Sequence, residues 1–294
     1  MNARGRNLFV VGFLAPAVVL YVGLVLWPLV QALQFSLTRW RGVSAKRTFV
    51  GFENFQKLGQ DAAFFTALKN NLAFLAFSLI GLFVLGLLIA HALQRQGRGT
   101  TLLRSIILFP QVISLVVVGI LWMFLYNPSY GLVTQGLKAI GIPGVTEPLG
   151  NRSQALPAVW IAFLWYASGF YAMLFAAGLR NIPEEIGEAA ELDGSFGFHR
   201  FRTVTWPLLW SVKKVAAVYI VSNVMNVFAL VYLMTQGGPD RATEVLLTYQ
   251  YEQAFKNSQF GYSTAVAVAN FLVAMLLAGC AMLLFRRNPE AARR

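Results

Sequence analysis

Six long apolar runs alternate with polar segments along the chain. Each run is close to the ~20 residues that a helix needs to cross a bilayer. The runs occupy residues 8–35, 71–94, 104–126, 156–179, 212–234 and 263–285. Charged side chains stay out of their interiors, and Lys213 and Lys214 lie only at an edge. This pattern predicts an all-α, polytopic membrane protein with six transmembrane helices.

The polar segment between the fourth and fifth runs has a pattern of its own. Ile182, Ile186, Ala189 and Ala190 recur at helical spacing, which places them on one face and most of the glutamates on the other. Gly194 follows where a helix needs a residue that tolerates positive φ. The pattern therefore predicts a short helix that ends at a glycine turn.

A second apolar stripe follows this turn, formed by Phe198, Phe201 and Val204. Pro207 comes next, and it is predicted to open a membrane span because the first turn of a helix has no partner for an amide hydrogen. The whole stretch 182–207 is too polar to enter lipid. It is suited to dock on a soluble partner.

Composition agrees with a membrane protein. Hydrophobic residues make up 57% of the chain and charged residues 12%, with a mean hydropathy of +0.60. A soluble globular chain carries about 25% charged residues. The net charge of +12 does not indicate nucleic-acid binding, since the basic residues cluster at the ends of spans instead of on one face.

Basic residues also predict the orientation. Arg95, Arg98 and Arg104 share one short loop, and Arg286 and Arg287 follow the last run. Cytoplasmic loops carry an excess of Lys and Arg. The N- and C-termini are therefore predicted to be cytoplasmic, and the 182–207 stretch faces the same side.

The remaining loops are predicted to be external. The loop 127–155 contains a short helix at 132–140. The loop 235–262 begins with a sharp Gly-Gly-Pro turn at 237–239 and continues as a helix from Ala242 to Phe255.

Catalytic and cofactor motifs are absent from the sequence. No G-x-x-x-x-G-K-[ST] loop is present to hold ATP phosphates. Two distant histidines and the single Cys280 do not form a metal-ligand pattern. Glu184 and Glu185 follow Pro183, where acids favour the first turn of a helix. The chain is predicted to be no enzyme and to have no cofactor.

Several motifs carry a family resemblance. Glu188-Ala189-Ala190, Asp193-Gly194 and Val204-Thr205-Trp206-Pro207 resemble the EAA loop of permease subunits in bacterial ABC importers, with Val204 and Trp206 in place of the usual isoleucine and leucine. Other segments resemble, in order, the permeases of maltose, glycerol-phosphate and lactose uptake: Phe13–Ala17, Trp27-Pro28, Gly51–Phe55, Leu108–Pro110, Thr235–Pro239 and Phe260–Ser263.

The resemblance implies a type I ABC importer permease fold. Residues 1–65 would form the first transmembrane helix and an external loop, 66–286 the permease core, and 287–294 a cytoplasmic tail. Within the core, 182–207 would be the loop that couples to an ATPase. Its coupling residues would be Glu188, Ala189, Ala190, Asp193, Gly194, Phe201, Val204 and Pro207.

The resemblance also implies partners. They are a second homologous permease subunit, an ABC ATPase dimer and an extracytoplasmic solute-binding protein, all at the bacterial inner membrane and in contact with its lipid. A homodimer of this chain is an open alternative to the second permease.

Polar residues inside the spans are candidates for a solute pathway. They are costly against lipid, so they either join helices by hydrogen bonds or line a water-filled path. The sequence is compatible with either role, helix joining or pathway lining. Amides and hydroxyls would bind the OH groups of a sugar, and aromatic faces would bind its C–H faces. The candidates are Gln111, Ser114, Ser168, Tyr171, Tyr219, Ser222, Asn223 and Asn226.

Other functions remain as alternatives. An ABC permease for a non-sugar solute would share the same coupling loop. A gradient-driven carrier or channel would lack an ATPase, but the absence of charges inside the spans argues against it. A membrane enzyme would need an acid/base or metal cluster, which the sequence does not supply.

Overall fold

The computed structural model describes residues 3–43, 46–94, 100–141 and 147–285. Nearly all regular structure in them is helical, so the predicted all-α membrane fold is confirmed. One two-residue antiparallel pairing, β1 (Thr38–Arg39) with β2 (Thr48–Phe49), is added to the helices. The predicted tail 287–294 and basic residues Arg95 and Arg98 lie outside the described residues.

The described residues contain four helices that are long and apolar enough to span a membrane. Two bent helix pairs bring the number to six if each pair forms one span, which equals the number of runs in the sequence. The second pair includes residues 197–208 of the polar segment and ends at Met225 instead of residue 234. The unbent spans are Phe9–Ser36, Ala62–Gln94, Ala155–Arg180 and Phe260–Leu284. The bent pairs are Thr101–Val112 with Leu115–Leu125 and Gly197–Leu208 with Trp210–Met225.

The chain divides into two compact units, residues 1–61 with 250–271 and residues 62–249 with 272–294. The first unit begins with α1 (Ala3–Tyr21), the π-helical segment Val22–Leu26 and α2 (Trp27–Ser36), followed by α3 (Glu53–Leu58) after the β pair. The buried Asn54 side chain donates to the carbonyls of Ser36 and Thr38, at 2.8 and 2.9 Å. This hydrogen bonding satisfies the end of α2.

The second unit is built on α4 (Ala62–Gln94) and α8 (Ala155–Arg180), which pack along each other. Their contact buries large side chains such as Phe74, Leu82 and Phe175. At Gly86, an added Cβ would lie 3.0 Å from the Phe175 ring. A glycine there lets the two helices approach closely.

The predicted span 104–126 is bent by 103° in the structure, between α5 (Thr100–Val112) and α6 (Leu115–Leu125). Pro110 lacks an amide hydrogen and weakens the last turn of α5. Ser114 then adopts φ −58° and ψ 138°, which ends the helical hydrogen bonds. The apolar run 104–126 therefore forms two helices that meet at a bend.

The predicted span 212–234 also breaks. Three short helices precede it: α9 (Glu184–Leu192), α10 (Gly197–Arg200) and α11 (Trp206–Leu208). The span itself is divided into α12 (Trp210–Met225) and α13 (Ala229–Met234), which are separated by residues 226–228. The Asn226 side chain donates to the Ser222 carbonyl at 2.8 Å. Such a local bond offers the backbone an alternative to continued helix.

The short helix predicted at 132–140 is confirmed as α7 (Leu132–Ala139). The helix predicted from Ala242 begins later, as α14 (Leu246–Tyr251), and continues through the π-helical segment Glu252–Lys256 to α15 (Phe260–Leu284). It starts late because the Thr243 amide closes the preceding turn by donating to the Gly237 carbonyl at 3.2 Å.

Candidate coupling segment and solute pathway

The coupling segment (residues 182–207) folds as two short helical pieces joined by a turn. The first is α9 (Glu184–Leu192), with Glu184 and Glu185 in its first turn, where acids favour the helix dipole. The second piece is α10 (Gly197–Arg200), which runs through the π-helical segment Phe201–Thr205 into α11 (Trp206–Leu208).

The turn after α9 is a Schellman motif. The Ser195 amide donates to the Ala190 carbonyl at 2.8 Å, and the Gly194 amide donates to the Glu191 carbonyl at 3.0 Å. Gly194 has φ +78°, as the glycine turn predicted from the sequence requires. No atom lies within 4 Å of a Cβ built there, so the demand for glycine comes from the backbone alone.

The apolar face predicted for α9 is only partly buried. Ala190 is 7% exposed and Gly187 is buried, whereas Ile186 is 38% exposed. Glu188 and Ala189 are exposed as well, and so is Asp193 beyond the helix. The outer surface of α9 is therefore exposed and carries acidic side chains.

Arg200 joins the two helical pieces. Its guanidinium lies against Gly187 and forms an ion pair with Glu191. A longer contact of 3.4 Å between the Ser195 and Thr203 hydroxyls adds to this joint. Sequence reasoning missed Gly187, Glu191 and Arg200 as a group, because only the fold brings position 187 next to position 200.

Aromatic rings connect the coupling segment to the membrane helices. Phe201 lies 6.0 Å from Trp206, and Trp206 lies 6.3 Å from Phe83 of α4, as measured between ring centroids. Phe83 in turn contacts Phe175 of α8 at 5.3 Å. Phe201 is half-buried, and so are Val204 and Pro207. Aromatic packing therefore connects the segment to α4 and, through Phe83, to α8.

The helix bends by 73° after Leu208. Pro207 lies within the helical stretch before this bend, so it does not open α12 as the sequence predicted. Leu209, with φ −76° and ψ 10°, marks the break. Lys213 stabilises it: its Nζ donates to the Trp206 carbonyl at 2.6 Å and lies 4.0 Å from the Trp206 ring centroid.

The pathway candidates on α12 share one exposed face, which carries Tyr219, Ser222, Asn223 and Asn226. Asn223 donates to the hydroxyl of the buried Tyr171 at 3.4 Å. Tyr219 stacks on Phe170 of α8, with ring centroids 5.5 Å apart. The structure thus brings candidates from α8 and α12 together.

The other candidates are more engaged in packing. Gln111 donates to the Tyr166 carbonyl at 2.8 Å, which ties α5 to α8, and Ser168 donates to the Trp165 carbonyl at 3.1 Å. Ser114 is exposed at the bend between α5 and α6. Of these candidates, Gln111 is therefore a hydrogen-bond donor between α5 and α8.

A metal centre is not found in the part of the chain that the structure describes. No group of three or more His, Cys, Asp or Glu side chains there could hold an ion.

Comparison with known proteins identifies the family. The sequence profile described as binding-protein-dependent transport system inner membrane component matches residues 82–289. This match confirms the resemblance found in the sequence motifs. The family consists of transport subunits, which confirms that the chain is not an enzyme.

Relatives match over most of the chain. The probable ABC transporter permease protein YurN of Bacillus subtilis is 34% identical, over 95% of this chain and 96% of its own length. The diacetylchitobiose uptake system permease protein NgcF of Streptomyces coelicolor is 33% identical, over 96% of this chain and 83% of its own length. The sn-glycerol-3-phosphate transport system permease protein UgpA of Rhizobium meliloti is 33% identical over 86% of each chain.

Solved structures share the fold. A chain from a bacterial ABC transporter involved in the import of the acidic polysaccharide alginate superposes with a TM-score of 0.82 at 23% identity, over 97% of each chain. The same kind of transporter in complex with a periplasmic protein bound to an alginate pentasaccharide gives a TM-score of 0.81 at 22% identity. The predicted permease fold is thereby confirmed.

Proposed function

The chain belongs to the family of binding-protein-dependent transport system inner membrane components, and from this premise we propose that it forms half of the translocation pathway of an ATP-driven sugar importer. It is a multi-pass permease subunit of the inner membrane. ATP hydrolysis belongs to a separate partner chain. A binding protein delivers the solute.

The choice of sugar is supported by the relatives and by the pathway face. One relative is named for uptake of diacetylchitobiose, and another for transport of sn-glycerol-3-phosphate. On α12, Asn223 offers an amide and Tyr219 an exposed aromatic ring. Amides bind sugar hydroxyls and aromatic rings bind sugar C–H faces, so this face suits a carbohydrate. A different small polar solute is the alternative cargo.

Exposed surface on the first span and on α12 supports a second permease subunit. In the span Phe9–Ser36, none of the most apolar stretch is buried. Ser222, Asn223 and Asn226 are exposed inside a membrane span, where polar groups are costly against lipid. A homologous subunit facing α12 would enclose these polar groups in a shared water-filled path. A second copy of this chain would do the same.

The proposal that an ATPase docks on this chain rests on the exposed acidic face of α9. Glu184, Glu185 and Glu188 are exposed on a helix that the Schellman turn and Arg200 hold in place. Such a face is too polar for lipid and suits a cleft in a soluble ATPase. In this arrangement the coupling segment and both termini are cytoplasmic, as the basic residues near the span ends favour.

Reconstitution tests this function. The test uses proteoliposomes that contain the chain, its co-purifying subunits and the binding protein. We expect them to accumulate sugar only when ATP is present on the side of the membrane where the ATPase lies. Liposomes containing the chain alone are expected to transport nothing. Uptake by the chain alone, driven by a solute or ion gradient, would contradict the proposal.

A further inference from the structure

A cavity of about 1130 Å³ lies where the coupling segment meets the ends of three membrane helices. Its walls come from the last turns of α4, the start of α5, the end of α8 and both pieces of the coupling segment. The cavity is thus at the depth where a membrane span meets water. Two of the proposed coupling residues, Phe201 and Val204, also line it.

The polar part of this cavity is cationic. Arg104, Arg180 and Arg200 line it, with Glu184 as the one acidic lining residue that the structure describes. Arg200 is already paired with Glu191 outside the lining. Among the described residues, Arg104 and Arg180 form no salt bridge. Within the described residues, these two guanidinium groups therefore have no carboxylate partner.

Arg104 has unused hydrogen-bonding capacity. Its Nη2 makes one long contact of 3.4 Å to the Leu93 carbonyl at the end of α4. Its Nε is buried and has no acceptor within the described chain. A buried donor without an acceptor is costly. A phosphate oxygen would supply the missing acceptor, and a guanidinium matches phosphate geometry well.

The rest of the cavity wall is apolar. Leu87 and Leu88 of α4 and Phe198 and Val204 of the coupling segment contribute side chains. Leu88 is 63% exposed and Phe198 is 77% exposed. A soluble anion would leave these side chains facing water, whereas an acyl chain would cover them. The pairing of arginines with an apolar wall therefore points to an amphiphile.

We propose that this cavity binds an anionic phospholipid, with its phosphate on Arg104 and Arg180 and its acyl chains along Leu87 and Leu88. Basic pockets between membrane helices at the cytoplasmic face bind anionic lipid head groups. The inference rests on the proposed function only in assigning the lipid to the cytoplasmic leaflet. The bound lipid would join the coupling segment to α4, α5 and α8.

Lipid binding is testable on the full-length chain with its co-purifying subunits, delipidated in detergent. Native mass spectrometry would count lipids bound from added phosphatidylglycerol or phosphatidylcholine. We expect retention of phosphatidylglycerol and about tenfold weaker binding in the double variant Arg104→Gln, Arg180→Gln. Arg202→Gln is the matched control, because Arg202 is exposed beside Arg200 and does not line the cavity.

Two further arms make the test decisive. Photoactivatable phosphatidylglycerol should label wild-type peptides around Leu87–Gln94 and Arg104, which needs no variant to fold. Glycerol phosphate, which carries the head-group phosphate without acyl chains, should not compete. Equal binding by wild type and double variant, labelling elsewhere, or competition by glycerol phosphate at the lipid's own concentration would each overturn the proposal. These readouts use no ATPase or transport activity, so the proposed function can fail independently.

Discussion

Arg200 lies directly against Gly187, so that a Cβ atom at position 187 would collide with its guanidinium group. The same guanidinium pairs with Glu191 one turn further along α9. Because Gly187 leaves this space, the two pieces of the coupling segment pack as one body. Under the proposed docking, this body would transmit a displacement from the ATPase to the membrane helices without unfolding.

Gly194→Val is expected to uncouple the transporter. Gly194 has φ +78°, which a β-branched residue resists, at a cost of ~1–3 kcal/mol or more. The Schellman turn would distort and α9 would leave its orientation. Solute-stimulated ATP hydrolysis in the reconstituted complex is the measurement, and a loss of stimulation with basal hydrolysis retained is expected.

Two controls sharpen this test. Gly194→Asn should keep most of the stimulation, because asparagine tolerates positive φ. Gly141→Val introduces the same strain at φ +73° in a distant exposed turn and should leave stimulation unchanged. Full stimulation in Gly194→Val would count against the role of this turn.

Lys213→Met is expected to lower thermal stability in detergent. Lys213 is 6% exposed, and its removal leaves the Trp206 carbonyl at the 73° bend without its 2.6 Å donor. The expected loss is about 1–3 kcal/mol in the free energy of unfolding. Lys214→Met is the control, since Lys214 lies 5.2 Å from the Trp210 ring and should contribute only ~0.5–1 kcal/mol. Equal losses of stability in both variants would show that the hydrogen bond from Lys213 to the Trp206 carbonyl does not stabilise the bend.

Asn71→Leu is expected to destabilise the second unit strongly. Asn71 is 1% exposed, donates to the Val224 carbonyl at 3.0 Å and accepts from the Leu246 amide at 2.7 Å. Leucine would leave the Leu246 amide buried and unpaired, at a cost of about 1–3 kcal/mol. It would also remove one of the two donors to the Val224 carbonyl, which keeps the Val227 amide at 3.2 Å. Thermal melting should drop clearly, whereas Leu72→Ala at the exposed neighbouring position should change it little. A melting temperature equal to wild type in Asn71→Leu would refute this account of the α4, α12 and α14 contact.

Asn223→Leu is expected to impair solute handling without loss of ATPase assembly. Asn223 is exposed on the α12 face and its amide reaches the Tyr171 hydroxyl at 3.4 Å. Loss of one hydrogen bond to a sugar should raise the half-saturating solute concentration roughly three- to tenfold. Val215→Ala, at another exposed position of α12, is the control in the same uptake assay. Unchanged uptake in Asn223→Leu would assign this residue to packing alone.

The hydrophobic pattern was sufficient to predict the six spans, because a bilayer imposes a minimum apolar length on each. It did not predict the bends at Ser114 and Leu209. Side-chain hydrogen bonds accompany both bends: Gln111 donates to the Tyr166 carbonyl of another helix, and Lys213 donates to the Trp206 carbonyl seven residues before it. An apolar run carries no information on such contacts, so a bent span and a straight one look alike in sequence.

The coupling segment was predictable where local backbone chemistry decides it. Gly194 after a short amphipathic pattern indicated the positive-φ turn, and the structure has that turn. The space that Gly187 leaves for Arg200 was not predictable, because it requires two residues thirteen positions apart to meet. The cationic cavity was missed for the same reason, since its arginines come from three separate elements.

The central claim is that α9 docks on a separate ATPase, and site-directed crosslinking tests it most directly. Cys280 is the only cysteine and would first be replaced by serine, after which Glu188→Cys places one thiol on the exposed face of α9. We predict that a short thiol crosslinker added to inside-out vesicles joins position 188 to an ATP-hydrolysing subunit, and that Glu147→Cys gives no such adduct. Labelling of position 188 only from the external side, or repeated failure to capture an ATPase there, would contradict the account.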